Sequence, residues 1–132
     1  MLQENNISLS LVIPVFNEEQ YIEKLFLDIV KYFNKGEFEI IFVNDGSDDK
    51  SKEILEDLKK KNNYFFNFII INLDKNTGKG SAVKAGMKIS NGTYILLQDA
   101  DLELDIKDSK ELYDMITNDK HIKCIFGSRY LS

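Results

Sequence analysis

The chain has 132 residues, with 17 basic and 22 acidic side chains and a formal net charge of −5. That length suits one domain, and 43% apolar with 11% aromatic residues is enough for a packed core, while the acidic balance argues against a protein that coats nucleic acid through bulk charge. One cysteine, Cys124, and one histidine, His121, exclude an internal disulfide framework, a cysteine-based zinc site and a multi-histidine metal centre.

The elements alternate from end to end. Residues 8–15, Ser-Leu-Ser-Leu-Val-Ile-Pro-Val, form a short apolar run of the buried-strand type. Asn17, with Gln20 three residues on, reads as a capping box. Ile22, Leu25, Phe26, Ile29, Val30 and Phe33 then follow a helical stripe that ends near Gly36. Residues 38–43 give a second strand, broken by Asn44-Asp45-Gly46-Ser47. Residues 51–61 give a second helix with Ile54, Leu55 and Leu58 inward; Lys59, Lys60 and Lys61 at its end match the helix dipole. Residues 66–73 are a third strand, and 74–80 a polar loop. Ala82, Ala85, Gly86 and Ile89 mark a third helix, closed by Asn91-Gly92. Residues 93–97 are a fourth strand, 109–118 a fourth helix with Leu112, Met115 and Ile116, and 123–126 a fifth strand with Cys124 in the core.

No apolar run approaches the ~18 residues of a membrane span. The segment Met1 to Asn6 lacks the basic flank and apolar run of a signal peptide, so the expected setting is cytoplasmic.

Strand–helix alternation with short loops predicts an α/β domain over residues 1–132. It is a mainly parallel sheet with helices on both faces and a ligand site at the carboxyl ends of the strands. The residues at that edge carry most of the unusual chemistry. Asp99 and Asp101 in Gln98-Asp99-Ala100-Asp101 can converge on one hard cation, Mg2+ or Mn2+, with Glu103 and Asp105 extending the acidic run. A solvated turn that caps the next helix fits the same two residues. Asp45 can accept from a ribose hydroxyl or a base N–H, or can serve an Asx-turn. In Asn76-Thr77-Gly78-Lys79-Gly80 two glycines let backbone N–H groups approach an anion, and Lys79 adds charge. The spacing is not that of a Walker A loop, and Phe16-Asn17-Glu18-Glu19 after the first strand has no glycine, which argues against a dinucleotide fingerprint. Arg129 is the sole arginine and suits bidentate phosphate contact, or a surface ion pair.

Five blocks in this order and spacing carry a resemblance. They are residues 10–19, Val43-Asn44-Asp45-Gly46-Ser47-Asp48-Asp49, Asn76-Thr77-Gly78-Lys79-Gly80, Gln98-Asp99-Ala100-Asp101-Leu102-Glu103, and Gly127-Ser128-Arg129-Tyr130. Together they resemble the family 2 glycosyltransferases of GT-A fold, and within them the dolichyl-phosphate mannose synthase and polyprenyl-phosphate glycosyltransferase branch. The resemblance implies that Pro14, Phe16, Asn17 and Glu18 line a nucleotide pocket. Asp45, with Ser47 beside it, would meet the base or ribose. Asn76, Gly78, Lys79 and Gly80 would shape the wall near the ribose and diphosphate. Asp99 and Asp101, with Ala100 between them and Glu103 beyond, would hold a divalent cation on the diphosphate, and Arg129 would lie near the diphosphate or an acceptor phosphate. Two departures stand out: Asn44 where a second acidic residue is common, and Ile106 in place of a proline.

The implied reaction moves a sugar, with inversion, from a nucleotide diphosphate sugar (GDP- or UDP-linked) to a polyprenyl phosphate. The alternatives are a saccharide hydroxyl acceptor, or a nucleotide-sugar-binding core without turnover of its own. Members of this branch continue past the Gly-Ser-Arg block with acceptor-side helices. The chain is therefore expected to be truncated on the acceptor side, to bind donor with metal, and to transfer sugar poorly alone. Peripheral contact with the cytoplasmic face of a membrane, self-association through the open sheet edge, and no nucleic-acid partner complete the expectation.

Overall fold

A computed structural model describes residues 7–34, 37–61, 66–102 and 105–118. Its elements run β1 (Leu9–Val15), α1 (Ile22–Tyr32), β2 (Phe38–Asp45), α2 (Ser51–Lys60), β3 (Asn67–Leu73), α3 (Lys79–Ile89), β4 (Tyr94–Leu97) and α4 (Ile106–Asn118). The expected strand at 123–126 lies outside the described residues, as do Cys124, His121, Glu103 and Arg129.

Among the described residues the sheet has four strands in the order β3-β2-β1-β4, all neighbours parallel. The first strand therefore lies inside the sheet, and the chain reverses its direction of winding between β3 and β4. That reversal opens a crevice at the carboxyl ends of the strands.

Side chains alternate across the sheet, as the pleat requires. Leu9, Leu11, Ile13 and Val15 of β1 face one side. There they pack with Phe38, Ile40 and Phe42, with Ile22, Leu25, Phe26 and Ile29 of α1, and with Leu55 of α2. Val12, Ile41 and Val43 face the other side with Ala82 of α3. Burying β1 and β2 on both faces explains why they read as unbroken apolar runs. At Gly86 the α3 helix lies close against the sheet: a Cβ there would stand 2.5 Å from Cγ1 of Val12. The small residues of the Ala82-Ala85-Gly86 stripe thus set how near the helix lies to the sheet.

Cover on both faces holds for β1 and β2 but not for β4. Ile95 and Leu97, in register with Ser10 and Val12, point to the α3 side and stay 39% and 50% exposed. The α3 helix packs mainly over the two middle strands, β1 and β2.

Boundaries move in two places. The α1 helix begins at Ile22, and no side chain caps it, so the expected Asn17–Gln20 capping box does not form. The α4 helix begins three residues before the expected Ser109, because Asp105 caps it: its Oδ1 accepts from the Lys107 amide at 3.0 Å.

At the sheet edge remote from the crevice, fully buried Glu39 accepts from the Ser10 hydroxyl at 2.9 Å and the Asn91 amide at 2.8 Å. The Ser10 hydroxyl in turn accepts from the Gly92 amide at 2.8 Å. This buried carboxylate is hydrogen-bonded, as burial demands. It fixes the turn that returns the chain from α3 to β4.

Candidate functional site

The carboxyl edge of the sheet holds a cavity of about 470 Å³ lined by Pro14, Val15, Phe16, Glu18, Asp45, Asn76, Gly78, Lys79, Asp99, Ala100 and Asp101. The sequence motifs after four separate strands meet there. Of the residues singled out by sequence, Asn17, Ser47 and Gly80 do not line it. Val15, part of the apolar run of the first strand, does.

Asn17 and Ser47 act one layer back. Asn17 takes a left-handed backbone conformation, φ 52°, held from both sides. Its amide donates to the Ser47 hydroxyl at 3.0 Å, and its side-chain oxygen accepts from the Asp48 amide at 2.9 Å. Glu18 and Glu19 donate their amides to the Ser51 hydroxyl and the Asp49 carboxylate. Glu19 in turn accepts from the Lys50 amide at 3.0 Å. The loops after β1 and β2 are therefore stitched together residue by residue. Burial raises the Asp49 carboxyl, but hydrogen bonds from the Ser51 hydroxyl and from the amides of Ser51, Glu19 and Asp49 itself outweigh it and leave it below its ordinary value of 3.8.

The loop after β2 is likewise fixed to the loop after β3. Asp45 is 3% exposed and accepts from the Thr77 amide and hydroxyl, each at 2.8 Å, and from the Gly78 amide at 3.0 Å. The residue expected to face the base or ribose thus also holds the cavity's opposite wall. Gly46 follows at φ +68°, and a Cβ there would lie 2.3 Å from the backbone of Lys75 and Asn76.

Asn44 also finds its reason here. It stands opposite Asn72 in the β2–β3 register and donates its side-chain amide to the Asn72 oxygen at 3.0 Å. Its own oxygen accepts from the Ser47 amide at 3.2 Å. One side chain donates and accepts at once, which a carboxylate in its place cannot do.

The Asp99–Asp101 segment is set by Gln98, which is buried at the exit of β4. Its amide donates to the Val12 carbonyl at 3.0 Å, and its side-chain oxygen accepts from the Ser109 hydroxyl at 2.5 Å. In the sequence alone Gln98 carries no signal of this role, because a polar residue ending a strand reads as the start of a loop. Asp99 then pairs with Lys79 across the cavity. Among the described residues no group of three or more His, Cys, Asp or Glu converges. Asp99 and Asp101 line the cavity as a pair, and one of them already attracts a cation, the Lys79 ammonium. Two oxygen-donor carboxylates beside an open cavity suit a hard divalent ion that takes its other ligands from phosphate and water.

The family model described as glycosyl transferase family 2 matches residues 10–131. A dolichyl-phosphate beta-glucosyltransferase from Dictyostelium discoideum is 34% identical over 95% of the chain and 41% of its own length. A poly-beta-1,6-N-acetyl-D-glucosamine synthase from Staphylococcus aureus is 34% identical over 86% of the chain and 26% of its own. The chain thus spans about two fifths or less of these relatives. Among solved structures, S. aureus TarS 1-349 in complex with UDP superposes with a TM-score of 0.66 at 28% identity, over 84% of this chain and 33% of that one. The mannosyltransferase PcManGT of Pyrobaculum calidifontis shares the fold at a TM-score of 0.64 and 16% identity, over 74% of this chain and 28% of that one. By its matched family model, its GT-A architecture and its relatives, this chain belongs to glycosyl transferase family 2.

Proposed function

We propose that the chain forms the donor-binding part of an inverting glycosyltransferase, which moves a sugar from a nucleotide diphosphate sugar to a polyprenyl phosphate. The observation that carries this reading is one cavity in which Asp45, Lys79, Asp99 and Asp101 come together from the ends of three strands. The nucleoside end lies against Pro14, Phe16 and Asp45, and the diphosphate against Gly78, Lys79, Asp99 and Asp101. Arg129, outside the described residues, would add a positive charge to the diphosphate or the acceptor phosphate. The donor is a uridine diphosphate sugar in the first instance, since TarS binds UDP and is similar over most of this chain.

Breaking the sugar–phosphate bond gathers negative charge on the leaving diphosphate. A Mg2+ or Mn2+ ion held by Asp99 and Asp101, with Glu103, would offset that charge. Lys79, in the same cavity wall, would add a mobile positive charge there. Phe16, 45% exposed beside the cavity, offers an apolar surface for the base. A polyprenyl phosphate oxygen is already anionic at neutral pH, so attack on the sugar from the face opposite the diphosphate needs no strong base from the protein. The dolichyl-phosphate relatives support that acceptor. The poly-N-acetylglucosamine synthase supports a second reading, with a saccharide hydroxyl acceptor, which would need a carboxylate base.

Among the described residues no helix is long and apolar enough to cross a membrane. Because the proposed acceptor carries a polyprenyl chain, it is met at a membrane surface. Calorimetric titration with UDP-sugars and GDP-sugars, with and without Mn2+, tests the donor. Metal-dependent binding of one class is expected, and binding of neither class would refute the reading.

A further inference from the structure

The Lys24–Asp28 and Lys110–Asp114 ion pairs each join neighbours on one helix. The Lys79–Asp99 pair differs, because it joins the start of α3 to the loop after β4 across the cavity. Its lysine side chain is 67% exposed and its aspartate 26% exposed. An ion pair this open to water is weakly held and readily exchanged. Lys79 also lies beside Gly78, in the cavity wall proposed above for the diphosphate.

We propose that Lys79 is a placeholder on Asp99: its ammonium occupies the carboxylate until a diphosphate draws it away, so that divalent-cation binding is coupled to nucleotide binding. This rests on the nucleotide-sugar reading of the cavity. An ammonium and a divalent cation cannot share Asp99 without strong repulsion at contact distance. A diphosphate brings several negative oxygens to the same wall. Lys79 is anchored at its backbone by α3 but carries a flexible four-carbon stem, so its ammonium can leave Asp99 for those oxygens while the helix stays still. The same diphosphate supplies the cation with oxygen ligands that two aspartates alone do not provide. Both effects favour joint arrival. The coupling is reciprocal: whatever nucleotide does for cation affinity, the cation does for nucleotide affinity. Metal alone then binds poorly, and the open site does not collect divalent ions without its substrate.

The test measures free Mn2+ by electron paramagnetic resonance against the full chain, with and without UDP, after subtracting the Mn2+ that the same UDP binds without protein. The proteins compared are the parent, Lys79→Met, Lys79→Arg and Lys84→Met. Lys84, exposed on the same helix, controls for a loss of one charge. Without UDP, Lys79→Met is expected to bind Mn2+ about fivefold or more tightly than the parent. Lys79→Arg and Lys84→Met should bind as the parent does. UDP should strengthen Mn2+ binding by a larger factor in the parent than in Lys79→Met. Equal Mn2+ affinity of parent and Lys79→Met without UDP, with UDP strengthening both alike, would overturn the placeholder and leave the nucleotide site standing. A gain in Lys84→Met equal to that in Lys79→Met would overturn it as well, by reducing the effect to bulk charge. No strengthening by UDP in any of the four would remove the nucleotide-sugar reading and the placeholder with it.

Discussion

Asp45, at the end of β2, accepts two hydrogen bonds from Thr77, one from its amide and one from its hydroxyl, both at 2.8 Å. A third comes from the Gly78 amide at 3.0 Å. The carboxylate therefore has two jobs: it lines the cavity and it fixes the loop that forms the facing wall.

Asp45→Ala removes both. It leaves the Thr77 and Gly78 amides without their acceptor in a site that water reaches only in part. The cost to folding is expected at about 1–3 kcal/mol, and nucleoside affinity should fall about tenfold or more. Urea denaturation and calorimetric titration with uridine check the two effects separately. Unchanged uridine binding in a folded variant would show that the loop keeps its shape without Asp45.

Asp99→Asn and Asp101→Asn test the cation pair. Each keeps the side-chain shape and removes one charge from a cavity wall. The ion pair lost with Asp99 is open to water and contributes about 0–1 kcal/mol, so the fold should survive in both variants. Stabilisation by UDP with Mn2+ in a thermal-shift assay should disappear. Full Mn2+-dependent stabilisation in both variants would remove the pair from the cation site.

The strands and their order along the chain were legible because β1 and β2 are buried on both faces and so read as unbroken apolar runs. The order of strands across the sheet was not. It depends on crossovers, and no local spacing records it. The loops show the same limit. Asn17 looked like a cap for the helix beginning at Ile22, since capping chemistry is local. Its partners are Ser47 and Asp48, thirty residues away, brought near by the parallel pairing of β1 with β2. Glu39 and Gln98 were invisible for a related reason. Each is a polar residue at or within a strand, and only the fold reveals the hydroxyls of Ser10 and Ser109 that satisfy them.

Asp49 gives a pH dependence with a definite sign. Its folded carboxyl lies below the ordinary 3.8, through the net effect of its hydrogen bonds. The stability it contributes is thus complete above the ordinary value and is lost as pH falls through the lower folded value. Asp49→Ala should be less stable than the parent at neutral pH, and the difference should shrink below pH 3.8. Urea midpoints across that range check it. A difference that stayed constant into acid would assign the loss to packing and not to charge.

Gly46 joins the loops after β2 and β3, and its replacement is the sharpest test of whether the cavity is built or adaptable. Its φ of +68° lies where side chains other than glycine are disfavoured, and strain of this kind costs about 1–3 kcal/mol. The contact is worse than the strain. An added Cβ would stand 2.3 Å from the carbonyl carbon of Lys75 and the nitrogen of Asn76, which are backbone atoms and cannot rotate aside. Gly46→Ala must therefore push the 75–76 segment outward. Asn76, Gly78 and Lys79 follow that segment, and Asp45 is bonded to it through Thr77. The variant is expected to lose about 2 kcal/mol or more of stability and to bind UDP at least about tenfold more weakly, even at temperatures where it is fully folded. Gly80→Ala is the matched control, because a Cβ there meets nothing within 4 Å, and it should keep both stability and affinity. Parent-like UDP binding in a folded Gly46→Ala protein would mean that the wall carrying Asn76 and Lys79 adjusts freely, and that close packing of the two loops does not shape the site.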